Sequence, residues 1–110
     1  MSDDVVLEPS AAPARPGDAF AYMVHNRGQR DYWVVDDYAL ERQDPDGWTD
    51  VTVEEGFKLM PTTVAAGERV RQWAEIPPDA APGTYRIVKE VYPAGSERGR
   101  VLSCLLTVGA

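Results

Sequence analysis

Residues 79–92 read DAAPGTYRIVKEVY. Ala81-Pro82-Gly83 has turn chemistry, because proline presets φ and glycine tolerates the left-handed region. Thr84, Tyr85, Ile87, Val88 and Val91 then form a β-favouring run. The reading is a strand from Thr84 to Tyr92 that carries a tyrosine at its second residue.

The same texture extends in both directions. Short runs of alternating apolar and polar residues are separated by turn residues, and no segment keeps a helical period for three turns. Val5 to Leu7 makes a first strand that ends at Pro9, and the Ala/Pro-rich AAPARPGD has the composition of a loop at a sheet edge. Between Asp18 and Asn26, Phe20, Tyr22 and Val24 share one face, with Ala21, Met23 and His25 on the other. Asn26-Arg27-Gly28 ends that strand. Tyr32 to Gln43 reads as two short strands parted by Asp36-Asp37, a pair suited to a bulge or a strand switch. DPDGW, residues 44–48, is the strongest turn signal, and Val51 and Val53 continue beyond it. Gly56 to Met60 leads to Pro61. Gly67 then opens ERVRQWAEI, with Val70, Gln72, Ala74 and Ile76 on one face and Arg69, Arg71, Trp73 and Glu75 on the other. After a loop over 93–99, a last strand runs from about Arg100 to Val108. About seven antiparallel strands at this spacing predict an all-β sandwich or a small barrel.

The totals limit the chemistry. A chain of 110 residues predicts one domain over residues 1–110, large enough to bury a core without staples. One cysteine, Cys104, and one histidine, His25, exclude an internal disulfide and any metal site built from several such ligands. No cofactor is implied. A net charge of −7 repels a phosphate backbone and argues against nucleic acid as a partner. No window approaches the roughly 20 apolar residues of a membrane span, and MSDDVVLEPS lacks the basic and then apolar start of a leader. As written, the sequence predicts a cytoplasmic chain; one trimmed of its leader would open the same way and be secreted or on the cell surface.

Tyr85 narrows the architecture. In immunoglobulin-type sandwiches a tyrosine near the start of the sixth strand folds back onto the chain a few residues upstream and stands two residues before the second core cysteine. Gly83-Thr84-Tyr85-Arg86-Ile87 has this layout, with Ile87 in the cysteine's place, Phe20 or Tyr22 opposite it, and Trp33 at about the spacing of the core tryptophan. Apolar packing at roughly 1.5–3 kcal/mol per large side chain then replaces the disulfide. The plainer alternative is a strand start with a turn glycine and a β-favouring tyrosine.

Four motifs carry a family resemblance. Tyr38-Ala39-Leu40-Glu41, Asp46-Gly47-Trp48, Ala66-Gly67-Glu68 and Pro82-Gly83-Thr84-Tyr85-Arg86-Ile87-Val88-Lys89 follow the order of the Y-x-L-E, dG-x-W, L-x-P-G-E and P-G-x-Y-R-I-V-K segments of bacterial immunoglobulin-like domains. Asn26 matches the asparagine that ends their second strand, so the resemblance runs from Val6 to Val108. The last motif is the most specific. Ala66 stands where the family has proline, and the family's usual secretion signal is not seen. The resemblance implies an immunoglobulin-like sandwich with an accessory or adhesive habit and brings no catalytic residue.

Candidate sites are few. Asp44-Pro45-Asp46-Gly47, with Asp50 and Glu54, faintly resembles a calcium loop, but the spacing after the glycine is wrong and an ordinary hairpin turn explains it. Asp36-Asp37 with Glu41 or His25 could form an acid–base group only inside a pocket; exposed acids are the simpler account. Cys104, within the apolar VLSCLLTV, reads as a buried small hydrophobe. His25 ends a strand beside a turn and reads as solvent-facing. Trp73 stands among Arg69, Arg71 and Glu75, and tryptophan with arginine is the composition of binding hot spots; the opposite facing would bury Trp73 and expose Gln72. Tyr32 and Trp33 are a second aromatic pair, of which at least one should be core. The sequence thus predicts a non-enzymatic protein-interaction or structural module of a bacterial assembly or surface protein, monomeric or weakly dimeric. Trp73, Arg69 and Arg71 form the expected interface, and Tyr85 the structural corner. The rival is a sandwich that binds a small ligand or calcium through the acidic turn at 44–50.

Overall fold

A computed structural model describes residues 4–53 and 60–109. Nine strands occur among them: β1 (Val5–Pro9), β2 (Ala19–Asn26), β3 (Tyr32–Val34), β4 (Ala39–Asp44), β5 (Gly47–Asp50), β6 (Thr62–Val64), β7 (Arg69–Glu75), β8 (Gly83–Pro93) and β9 (Arg100–Val108). One sheet is ordered β1-β2-β7; the other is β5-β4-β8-β3-β6, with β9 also on β8. Every strand pairing is antiparallel. The chain is therefore an all-β immunoglobulin-like sandwich. The count exceeds the expected seven because β6, between Pro61 and Gly67, has too few residues to show an alternation, and because short hairpin strands such as β5 add to it. Residues 54–59, and with them all of the expected Gly56 to Met60 stretch except Met60, lie outside the described residues.

The inward side chains of both sheets meet in one core. Phe20, Tyr22 and Val24 from β2 pack with Leu40, Ile87, Cys104, Leu106 and others in a single cluster. Apolar burial of this kind contributes about 1.5–3 kcal/mol per large side chain and makes a disulfide unnecessary. Trp33 departs from the expectation. It is 38 % exposed, while its neighbours Tyr32 and Val34 are buried. The alternation of β3 had two aromatic residues in sequence to choose from, and Tyr32 goes inward because its hydroxyl reaches Asp4, to which it donates at 3.0 Å, and Arg100, from which it accepts at 3.1 Å. A buried phenol needs such partners; an indole on the outer face does not.

The Asp36-Asp37 break is a bulge. β3 meets β8 with Trp33 opposite Tyr92, whereas β4 meets it with Ala39 opposite Val88, so the β3–β4 side carries two more residues than β8 over that interval. The bulge turns backbone carbonyls inward, and Lys89, only 2 % exposed, answers them. Its Nζ donates to the Asp37 carbonyl at 2.7 Å and to the Val35 carbonyl. Gln72 donates from Nε2 to the same Val35 carbonyl at 3.2 Å, and its Oε1 accepts from the Tyr22 hydroxyl at 3.3 Å. Polar groups from both sheets thereby satisfy one another inside an apolar core.

Candidate functional site

The outer face of the three-stranded sheet is built by the pairing of β2 with β7. Ala21 lies opposite Trp73, Met23 opposite Arg71 and His25 opposite Arg69. Period-two alternation sends Gln72 and Ala74 into the core, so Trp73 must point outward, and it is 56 % exposed. Ala21 offers only a methyl group across from the indole. Arg69 donates from Nε to Glu8 Oε1 at 2.9 Å, and His25 Nδ1 lies 2.8 Å from the other oxygen of Glu8. Arg69 and then His25 hold the Glu8 carboxyl below the usual carboxylate range. Such exposed pairs are worth little in stability and mainly fix where the arginine stands. Arg71 makes no hydrogen bond or ion pair among the described residues, so its guanidinium stays available. A shallow groove of about 310 Å³ runs beside it, lined by Pro9, Ala21, Met23, Glu8 and both arginines. The expected trio of Trp73, Arg69 and Arg71 is therefore brought onto one face, and Glu8 and Met23 join it.

The 44–50 turn is occupied by its own contacts. Pro45 and Asp46 form the loop of the β4–β5 hairpin, and Gly47 closes it at φ 137°, a region that favours glycine. Asp44 accepts from Arg42 Nε at 2.8 Å and from the Thr49 hydroxyl. Asp50 accepts from the Thr52 amide at 2.8 Å and its hydroxyl at 2.6 Å. Both carboxyls are held below the usual range, by the bond from Arg42 in one case and from Thr52 in the other. Among the described residues no three potential ligands gather around a metal-sized space; Glu54 lies outside them.

The remaining candidates are separated. His25 is engaged with Glu8 and partly buried, where the sequence reading had it facing solvent. Glu41 accepts from Arg86 Nε at 2.6 Å on the other sheet, so no acid–base group forms with Asp36 and Asp37. Cys104 is buried, and burial pushes its thiol up to about 11. A thiol so raised is protonated at neutral pH and is a poor nucleophile. Tyr85 is buried and its hydroxyl donates to the Ala81 carbonyl at 2.7 Å, four residues upstream.

Sequence reasoning missed the Lys89 cluster and an apolar strip on β9, where Val101 and Leu105 are 70 % and 61 % exposed. The alternation of Val101, Ser103, Leu105 and Thr107 was a legible signal for the strip. For Lys89 the signal was a cation at an inward register, two residues past Ile87.

The model of the bacterial Ig-like domain family matches residues 6–102. The chain belongs to that family. Ig-like domains of this kind are generally non-catalytic, often mediate protein interactions and are often found on surface proteins. No curated protein matches the chain. Among solved structures, similar folds occur in the Pseudomonas fluorescens alkylpurine DNA glycosylase AlkC bound to DNA containing an abasic site analogue (18 % identity, TM-score 0.49, 100 % of this chain and 32 % of that one). A PapD-like domain of human CEP192 is also similar (13 %, 0.49, 100 % and 89 %), as is a beta-glucosidase from Listeria innocua in complex with gluconolactone (17 %, 0.43, 96 % and 16 %). The Ig-like domain thus spans about a third of the glycosylase and a sixth of the glucosidase. Among its described residues no helix is long and apolar enough to cross a membrane.

Proposed function

We propose that this Ig-like domain is a non-enzymatic accessory module that binds another protein through the outer face of its three-stranded sheet, within a bacterial assembly or surface protein. Trp73 is the anchor and Arg69 and Arg71 flank it. The observation that carries the reading is the exposed indole beside an uncommitted guanidinium and an apolar groove. A large amphipathic ring next to arginine is the composition that dominates binding energy at protein interfaces, and the net charge of −7 disfavours casual association elsewhere on the surface.

Affinity capture from host lysate and culture medium tests it, with the wild type, Trp73→Ala and the control Leu105→Ala. The expected result is a partner held by the wild type and the control and lost with Trp73→Ala, with all three chains equally stable. Equal capture by all three, or by none, would overturn the assignment of the interface to Trp73.

A further inference from the structure

The free edge of β7 shows what such a surface can pair with. β7 ends its sheet, with β2 on one side only among the described residues. The Ile76 amide donates to Asp18 and the Asn26 amide to Glu68, and in the antiparallel register these fix Val70, Gln72, Ala74 and Ile76 as the residues whose main chain faces β2. The main chains of Arg69, Arg71, Trp73 and Glu75 face outward. One of these groups is taken: the Glu75 amide donates to the Tyr38 hydroxyl at 2.7 Å.

We infer that β7 pairs antiparallel with β7 of a second copy of this chain, about a two-fold axis at Gln72. This rests on the reading of the Trp73 face as an interface. The strand Arg69-Val70-Arg71-Gln72-Trp73-Ala74-Glu75 is complementary to itself in that register. Arg69 meets Glu75 of the partner copy and Arg71 meets its Trp73, each twice by symmetry, giving opposite charges and a guanidinium against an indole on the same outer face. Each Arg71–Trp73 pair exchanges main-chain hydrogen bonds, whereas each Arg69–Glu75 pair makes one, from the Arg69 amide to the Glu75 carbonyl, because Tyr38 holds the Glu75 amide. Neighbouring registers are worse. Centring on Arg71 opposes arginine to arginine, and centring on Trp73 sets Arg69 opposite Pro77, which has no amide to donate.

Sedimentation equilibrium from micromolar to millimolar concentration tests the pairing by charge exchange. Arg69→Glu and Glu75→Arg each place like charges opposite one another in a homodimer and should raise its Kd about tenfold, while an equimolar mixture of the two should associate as the wild type does. Arg69→Glu also sits beside Glu8, so Arg71→Glu mixed with Trp73→Lys provides a second exchange that leaves the Glu8 contact alone. Amide exchange gives an independent readout: Arg71 and Trp73 should become protected as concentration rises. A wild type that stays monomeric throughout, or a dimer indifferent to the exchanges, would overturn the inference. A monomer that still captures a host protein through Trp73 would leave the proposed function standing, and a dimer that captures none would leave only the self-pairing.

Discussion

Lys89 Nζ sits 2.7 Å from the Asp37 carbonyl and joins the strand that bears it to the bulge it faces. A lysine so placed has to be charged or neutral at the cost of one interaction or another. Burial draws its pKa down to about 8, while Asp37 and Asp36 pull the other way. Below the folded-state value both folded and unfolded chains carry the proton, and the stability is flat. Between about 8 and the ordinary value of 10.5 the unfolded chain binds more protons, so stability rises with pH. Cys104 works in the opposite sense from 9.0 to about 11, because there the unfolded thiol ionises first.

The clean window is therefore pH 8 to 9, above the lysine's lowered value and below the thiol's ordinary one. Urea denaturation of the wild type should show stability increasing across it, by up to about 1 kcal/mol per pH unit. Lys89→Met should abolish the increase. A wild-type profile that falls through this window would contradict the burial of a titrating amine.

Tyr85→Phe removes the hydroxyl that donates to Ala81 at 2.7 Å and leaves the carbonyl without that donor. The expected loss is about 1–2 kcal/mol, read from the urea midpoint. If the melting temperature does not change, Tyr85 is not acting as a corner.

Asn26 is fully buried and ties three segments together. Its Nδ2 donates to the Arg30 carbonyl at 2.7 Å and the Val64 carbonyl at 2.9 Å, and its Oδ1 accepts from the Gly28 amide at 3.0 Å. Asn26→Ala orphans all three backbone groups and should cost about 3 kcal/mol or more. Asn26→Asp keeps the acceptor and loses the donors, so it should not restore the stability. Equal stability of Asn26→Ala and wild type would mean that the loops reach water instead.

Adding calcium should leave the melting temperature unchanged, since Asp44 and Asp50 are engaged by Arg42, Thr49 and Thr52. A rise that grows with calcium concentration would be mass action on a real site and would revive the ligand-binding alternative.

Much of the fold was legible because the family's motif residues do structural work. Gly67 takes φ 84° and Glu68 caps the turn by accepting from the Ala65 amide at 2.9 Å, which explains a Gly-Glu pair without its proline. Glu41, Trp48 and Arg86 come from three motifs and meet on one face, the Arg86 guanidinium standing 4.2 Å from the Trp48 ring centre and bonded to Glu41. For the same reason the motifs say little about a partner. The facing of Trp73 followed from alternation over seven residues. The facing of β3 did not, since three residues carry two adjacent aromatics and the choice depends on Asp4 and Arg100, distant in sequence. Lys89 was hidden likewise, because nothing local says that two carbonyls from a bulge will be waiting for it.

The most direct measurement is photocrosslinking in the host cell, with a benzophenone amino acid placed at Trp73 in one chain and at Leu105 in another. The account predicts a discrete adduct from position 73, to a second protein or a second copy of the domain, and none of matching yield from position 105. Adducts of equal yield from both positions, or from position 105 alone, would contradict an interface on the β7 face.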